Sequence, residues 1–242
     1  MDATGRVANG DTSAQPDADF LCDGIERNAL GSLSRFESPL VNISSLDTSG
    51  VDFRVDYVSP ETGIGTFGLS FAASFLTEFE ETFPINAAGT ETLLVDRKGQ
   101  VQAGTRELAF PETRFNTIVD WNRNEWSASV TFRFVDEVEE RCATNGTLGA
   151  FPTELCSEFV PGLFDPITNT GPKNTLDSTL YTDLQVIWAP EAMDARLRFT
   201  LGFINLFDET PPLCTSCGLN NFNATLHDVP GVFGYFQVSY QQ

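Results

Sequence analysis

The feature that most constrains this chain is a two-residue rhythm. Between Arg196 and Phe203, Leu197, Phe199, Leu201 and Phe203 fall on one side, and Arg196, Arg198, Thr200 and Gly202 on the other. A period of two is the geometry of a β-strand with one apolar and one polar face, and it is incompatible with an amphipathic helix. The rhythm stops at Asn205-Leu206-Phe207-Asp208, and Pro211-Pro212 has no N–H to offer a further ladder.

Six other stretches repeat the pattern. Val51, Phe53, Val55 and Tyr57 alternate with Asp52, Arg54 and Asp56. From Thr66 to about Phe79, the residues Phe67, Leu69, Phe71, Ala73, Phe75 and Phe79 share one face. At about 3.3 Å per residue that strand exceeds the roughly 9–11 residues with which a tilted strand crosses a bilayer. Phe115, Thr117, Val119 and Trp121 oppose Arg114, Asn116 and Asp120; Trp126, Ala128, Val130, Phe132 and Phe134 oppose Ser127, Ser129, Thr131 and Arg133. Leu180, Thr182, Leu184, Val186 and Trp188 oppose Tyr181, Asp183 and Gln185, and Val232, Phe236, Val238 and Tyr240 oppose Gln237 and Ser239. The prediction is an all-β fold: an antiparallel meander of about seven long strands joined as sequential hairpins. No internal repeat and no helical period interrupts it.

The links between these strands alternate in length. Those after the first, third and fifth strands are short. Those after the second (80–107), fourth (136–173) and sixth (209–228) are long, polar and expected to be irregular. Outer-membrane barrels show this pattern, with short periplasmic turns and long extracellular loops. The large aromatics keep the same phase. Tyr57, Trp121, Trp126, Trp188 and Tyr240 all lie at short-turn ends and on the apolar face, as the girdle at a lipid–water boundary does. The polar face carries Asp52, Arg54, Asp56, Arg114, Asn116, Asp120, Arg133, Asp183, Arg196 and Arg198, a set suited to a wet, plugged lumen rather than a dry core.

Composition removes several function classes. Against 14 Lys and Arg stand 34 Asp and Glu, a formal charge of −20, which argues against nucleic-acid binding through phosphate neutralisation. With 41% hydrophobic residues and 21 Phe, the chain has enough apolar surface to order itself. No apolar run reaches the roughly 18 residues of a transmembrane helix, a test that barrel strands escape. Met1-Asp2-Ala3-Thr4 opens no signal peptide, so the expectation is a cytoplasmic protein or a piece whose export signal lies upstream.

All five cysteines, Cys22, Cys142, Cys156, Cys214 and Cys217, fall in predicted loops, which favours disulfides in an oxidising compartment. The pairs nearest in sequence are Cys142 with Cys156 and Cys214 with Cys217, leaving Cys22 over. A zinc site built from the same two pairs is the rival, although zinc ribbons carry two C-x-x-C pairs and this chain has one. Catalytic constellations are lacking. The single histidine, His227, sits beside Asp228 in a loop, and no G-x-S-x-G surrounds a serine. Glu78, Glu80, Glu81, Asp136, Glu137, Glu139 and Glu140 read as solvated strand tips, with no calcium-loop spacing. The sequence makes no positive case for an enzyme, a cofactor or a metal.

The end of the chain is more specific. A strand closing in G-x-x-NLFD-x-x-PP (Gly202, Asn205, Leu206, Phe207, Asp208, Pro211, Pro212), a loop rich in Cys and Asn, and then H-DVPG-x-FGYFQVSY (Asp228, Pro230, Gly231) resembles the last two strands of TonB-dependent outer-membrane receptors. Phe20 to Arg27 with Gly31, the N-x(7)-G-V-D run of Asn42, Gly50, Val51 and Asp52, and the P-x-x-R-x-N entry at Pro111, Arg114 and Asn116 resemble the same family. The resemblance covers about Phe20 to Gln242. It implies an irregular extracellular-loop segment over 1–39 and C-terminal barrel strands over 40–242. It further implies a site in the outer membrane of a Gram-negative bacterium and active uptake of a scarce small-molecule ligand such as an iron chelate, cobalamin or an oligosaccharide. The implied partners are outer-membrane lipid, a missing N-terminal plug with the remaining barrel strands, and TonB–ExbB–ExbD indirectly. The family's plug and TonB box have no counterpart here, so the chain is expected to be transport-incompetent alone. The family also ends on an aromatic residue, whereas here Tyr240 is followed by Gln241 and Gln242. A secreted or surface β-rich binding or adhesion domain with disulfide-clipped loops is the alternative reading of the same strands.

Overall fold

The computed structural model of the chain describes residues 25–28, 32–36, 45–84, 91–102, 108–141, 173–191, 196–217, 221–228 and 231–240. In chain order its strands are β1 (Ile25–Arg27), β2 (Leu33–Phe36), β3 (Ser45–Val58), β4 (Thr66–Pro84), β5 (Thr92–Asp96), β6 (Val101–Gln102), β7 (Leu108–Ala109), β8 (Thr113–Arg123), β9 (Trp126–Val135), β10 (Val138–Arg141), β11 (Lys173–Leu176), β12 (Thr179–Trp188), β13 (Leu197–Ile204) and β14 (Phe233–Tyr240). Two compact units divide the chain, one of Met1–Asp47 with Glu80–Asp96, the other of Thr48–Phe79 with Arg97–Gln242. In the first, β1 pairs antiparallel with β2, and the tip of β4 from Glu80 to Pro84 pairs antiparallel with β5.

The second unit carries the main sheet. Its strands run in the order β14-β13-β12-β9-β8-β4-β3, each beside its predecessor in the meander, and the sheet is open at both ends. From β4 to β14 every neighbouring pair is antiparallel. β3 follows the same rule: Ser59 N–H donates to Phe67 O (2.8 Å), Ser70 Oγ donates to Asp56 (2.7 Å) and Ser49 meets Thr77 (2.9 Å), so one strand ascends as the other descends. The seven strands expected from the two-residue period are all present.

Register explains why the rhythm matters. Leu69, Val119, Val130, Leu184 and Phe203 stand opposite one another in a single apolar row across five strands. One residue along, Gly68, Asp120, Ser129, Gln185, Gly202 and Tyr235 form the adjoining row on the other face. A slip of one residue would exchange the two faces, so the burial or solvation of each face fixes the pairing. The β8–β9 link turns at Asn124, whose φ of 50° is the left-handed conformation that Asn tolerates.

The long links depart from expectation. The stretch 80–107, expected to be loop, continues β4 to Pro84 and adds β5, β6 and β7. The stretch 136–173 carries β10, which pairs with β11. Thr82 and Phe83 pair in register with Leu94 and Leu93, beyond the point where charge dominates the composition. The packed cluster of buried residues lies among these links rather than against the main sheet: Val101, Val138, Leu176, Cys214 and Cys217, with Ala109 and Leu226 against them.

Candidate functional site

The apolar face of the main sheet has no cover among the described residues. Phe53, Leu69, Phe75, Trp126, Leu180, Trp188, Leu201, Val238 and Tyr240 are exposed, and Phe236 is 65% exposed. A continuous face of this kind exceeds what a soluble monomer ordinarily leaves to water. Its aromatics fall into two rows. At the short-turn end, Trp126, Trp188, Phe199 and Phe236 stack across β9, β12, β13 and β14, with successive ring centroids 5.9, 5.3 and 6.4 Å apart. A second row, Phe53, Phe71, Phe115 and Phe134, runs diagonally across β3, β4, β8 and β9 at 6.1, 5.9 and 4.7 Å, and reaches the long-loop end at Phe115 and Phe134. The eight residue-to-residue steps from Trp126 to Phe134 cover about 26 Å along the strand at about 3.3 Å each. With a strand tilt of about 40° that becomes about 20 Å, comparable to the apolar band of about 25 Å between the aromatic girdles of a transmembrane barrel.

The tryptophans are anchored on the short-turn side. Trp121 Nε1 donates to Ile64 O (2.7 Å) in the β3–β4 link, and Trp188 Nε1 donates to Glu125 (3.0 Å) in the β8–β9 turn. The Glu191 backbone N–H and the Trp188 indole hold the Glu125 carboxyl below the usual range. Each indole thus keeps its ring on the apolar face and its polar tip in a turn, the orientation that makes Trp an interfacial residue.

The polar face is charged. Near the long-loop end, Arg133 on β9 is held by Asp183 on β12 (3.1 Å) and by Asp228, and it lies over the Tyr181 ring at 5.2 Å. Beside it His227, 6% exposed, has its Nδ1 3.4 Å from both Thr179 Oγ1 and Tyr181 Oη. Burial pushes the His227 pKa down; Asp228 pulls it up, and Arg114 adds to the depression. His227 is therefore a packed loop residue whose ring nitrogen faces the Thr179 and Tyr181 hydroxyls. Farther along the face, Asp52, Arg54, Ala72, Ser74, Arg114 and Asn116 line an open bowl of about 470 Å³.

The terminal motif gathers where β12, β13 and β14 meet the last long loop. Asn205 is 2% exposed with φ 54°; its Oδ1 accepts from Glu209 N–H (2.8 Å) and its Nδ2 donates to Glu209 O (2.8 Å). Its backbone N–H donates to Asp183 (2.9 Å), while Leu206 N–H donates to Thr182 O (2.7 Å). Asp208 is also left-handed, at φ 58°, and Phe207 is exposed. A Cβ on Gly202 would overlap the Tyr235 ring, which crosses the glycine so that its hydroxyl can accept from Gln185 Nε2 (2.8 Å). Asp228 reaches Arg133, Gly231 turns the chain at φ 113°, and Pro211 and Pro212 are half-buried in the loop. Pro230 lies outside the described residues. The motif therefore fastens the last loop to the sheet.

Two expectations about the loops need separate treatment. Cys214 and Cys217 form a disulfide with Cα atoms 5.4 Å apart, as the sequence spacing suggested. Cys142, Cys156 and Cys22 lie outside the described residues. Glu140, in contrast, is not a solvated strand tip: it is 0% exposed. Its carboxylate accepts from Thr215 N–H (2.9 Å), Ser216 N–H (2.7 Å), Thr215 Oγ1 (3.0 Å) and Asn174 Nδ2 (2.6 Å). The disulfide ring turns two successive backbone N–H groups toward one buried anion, which satisfies the charge that burial would otherwise penalise. The upper aromatic row was also missed in the sequence, although Phe115 and Phe134 stand at the opposite end of the β8–β9 hairpin from Trp121 and Trp126.

No family model matches the chain, and no curated protein matches it. Among solved structures it is similar to the ferric-catecholate import receptor Fiu of E. coli K12, in a closed form, at 11% identity and a TM-score of 0.33. That match covers 90% of this chain and 23% of the receptor, so the chain spans less than a quarter of that structure. A likeness at that score carries no argument, and the functional reading rests on the two faces of the sheet.

Proposed function

We propose that the chain is a segment of an outer-membrane β-barrel, the C-terminal part of a TonB-dependent receptor that takes up a scarce ligand. The observation that carries the proposal is the uncovered apolar face, which carries two aromatic rows and is backed by a charged, hydrogen-bonded polar face. In water such a face would require a second sheet or a helix layer over it. In a bilayer, lipid covers it, and only a closed barrel satisfies strands at that depth. On this reading the polar face lines the lumen and meets an internal plug. The long links lie outside the cell, and TonB–ExbB–ExbD acts through the plug rather than on this segment. The chain supplies wall and loops but no chemical step, and uptake needs the remaining strands.

Detergent dependence tests the proposal. Folded chain is expected only in micelles or vesicles, with heat-modifiable gel mobility once complemented by the rest of a barrel. A soluble, monomeric, folded chain in detergent-free buffer would overturn the membrane reading in favour of a secreted binding domain.

A further inference from the structure

We infer that the Cys214–Cys217 disulfide is a redox-set clasp. Oxidised, it holds the Glu140 carboxylate and fastens the sixth link to the second and fourth; reduced to two thiols by an external dithiol, it lets go of both. The inference concerns the long links alone and does not depend on what covers the apolar face.

Three long links meet at one place. The buried cluster takes Val101 from the second link with Ala109 just after it, Val138 from the fourth with Leu176 just after it, and Cys214, Cys217 and Leu226 from the sixth. Backbone contacts tie the second link to the fourth without the cysteines: Glu139 N–H donates to Gly99 O (2.7 Å), and Gln100 forms a single parallel bridge with Glu139. The sixth link is tied differently. It reaches the β10–β11 hairpin through Glu140, which accepts from Thr215 N–H, Thr215 Oγ1 and Ser216 N–H, and through Asn174, whose Nδ2 donates to Glu140 and to Leu213 O (3.3 Å). These polar contacts all gather at one buried carboxylate. The far end of the link stays on the main sheet through Asp228 and Arg133, so its release is local.

The disulfide makes Thr215 and Ser216 a cradle. Two successive N–H groups converge on one anion only where the backbone is turned tightly, and the bridge enforces that turn across a sequence separation of 3. A bridge so short closes too small a loop to stabilise the whole chain much through chain entropy, so its effect is confined to the link. The residues Cys214 and Cys217 are 0% and 4% exposed, and Cys214 Sγ lies 3.5 Å from Glu140 Oε2. Two unbonded sulfurs stand farther apart than bonded ones, and a close-packed core must open to admit them.

Reduction is a two-step exchange. A thiolate of the dithiol attacks one sulfur, and the other leaves as a thiolate and takes a proton. The second thiolate of the reagent then attacks the mixed disulfide, frees the remaining cysteine as a thiol and leaves the reagent as a cyclic disulfide, so two electrons and two protons pass to the cysteine pair. With the ring open, nothing fixes the two N–H groups on Glu140, and the buried charge loses the bonds that offset its desolvation. Linkage makes the effect reciprocal: a disulfide that holds the carboxylate is held by it. A Cys214 thiol returns at most one weak S–H bond to Glu140, which does not replace two charge-assisted N–H bonds.

Hydrogen exchange and a dithiothreitol redox titration test the inference on the full chain, with Cys22, Cys142 and Cys156 changed to serine so that one disulfide is read. On reduction, protection factors at Thr215 and Ser216 should fall by at least about tenfold while those in β9 and β12 hold, and reoxidation should restore them. In Glu140→Gln the disulfide should be about tenfold easier to reduce, a shift of about 30 mV toward a more oxidising potential. Glu139→Gln, next door and paired with Lys173 instead, should leave the potential unchanged. Thr215 and Ser216 staying protected in the reduced chain would show that the fold holds Glu140 without the disulfide, and would overturn the inference. So would an equal or harder reduction in Glu140→Gln, or a shift of the same size in Glu139→Gln. Loss of protection throughout β9 and β12 would also overturn it, because the bridge would then brace the whole fold. The exchange arm needs no change at Glu140 and can be repeated on the unsubstituted chain, so it stands whether or not the variants fold.

Discussion

Asn205 occupies a position that few side chains could fill. Its backbone is left-handed, its side-chain amide bonds both the N–H and the C=O of Glu209, and it is buried. Replacing it by Ala removes both bonds and retains the strained φ, so a loss of about 2–3 kcal/mol is expected in denaturant titration of the micelle-folded chain. Asn205→Gly relieves the strain and should cost less than Asn205→Ala; the reverse order would refute this account. Glu140→Ala leaves four donors facing a void and is expected to cost about 3 kcal/mol, with the Cys214–Cys217 turn released from β10. His227 gives the loop a pH dependence. Its folded pKa is depressed by burial, so the stability it contributes is present above the unfolded value of about 6.5 and is lost as pH falls below it. Protection factors at Leu226 and His227, in which the intrinsic pH dependence of amide exchange is divided out, should therefore fall between pH 7.5 and 5 in the native chain and not in His227→Gln. An unchanged response in that variant would assign the effect to another group.

Strands are where the facing can be tested. Val130 and Ser129 are neighbours in β9, one in the row with Leu184 and the other in the row with Gln185. Val130→Arg should destabilise the inserted barrel by roughly 2–4 kcal/mol near the midplane. Ser129→Arg, with Asp120 directly opposite, should stay within about 0.5 kcal/mol. Equal tolerance in a heat-modifiability assay would show that the faces are misassigned. That asymmetry was legible in the sequence because a strand's two faces are set by counting residues, with no knowledge of partners. The buried Glu140 carboxylate was not legible for the opposite reason. Glu140 is paired with Thr215 and Ser216, 75 and 76 residues away, and nothing near Val138-Glu139-Glu140-Arg141 distinguishes the buried carboxylate from its solvated neighbours. Strands β5, β6 and β7 were hidden similarly, being two to five residues long and held by pairing rather than by their own pattern. Motif residues such as Asn205 and Gly202 were visible as a string, but their work of fastening the last loop depends on Glu209, Tyr235 and Gln185 and needed coordinates.

For the whole molecule, the decisive quantity is depth. If the apolar face meets lipid, Trp121, Trp126 and Trp188 lie in one plane near one interface, because all three stand beside short turns and two are tied to turn acceptors by their indole N–H groups. In a soluble sandwich they would share a core and have no common depth relative to any bilayer. Three single-tryptophan variants, with the other two positions changed to Phe, separate these cases in vesicles whose lipids carry quenchers at known positions. Each tryptophan should be quenched more strongly by a quencher near the headgroups than by one at the midplane. Phe134→Trp, in an otherwise tryptophan-free chain, should behave like the first three, since it sits in the second aromatic row at the opposite interface. Val130→Trp, about halfway between the rows along β9, should show the reverse order and be quenched most at the midplane. A headgroup-proximal response at both ends of β9 with a midplane response between them requires a strand that crosses the bilayer. A uniform response along β9 would place the sheet flat on the surface or outside it, and would end the barrel reading.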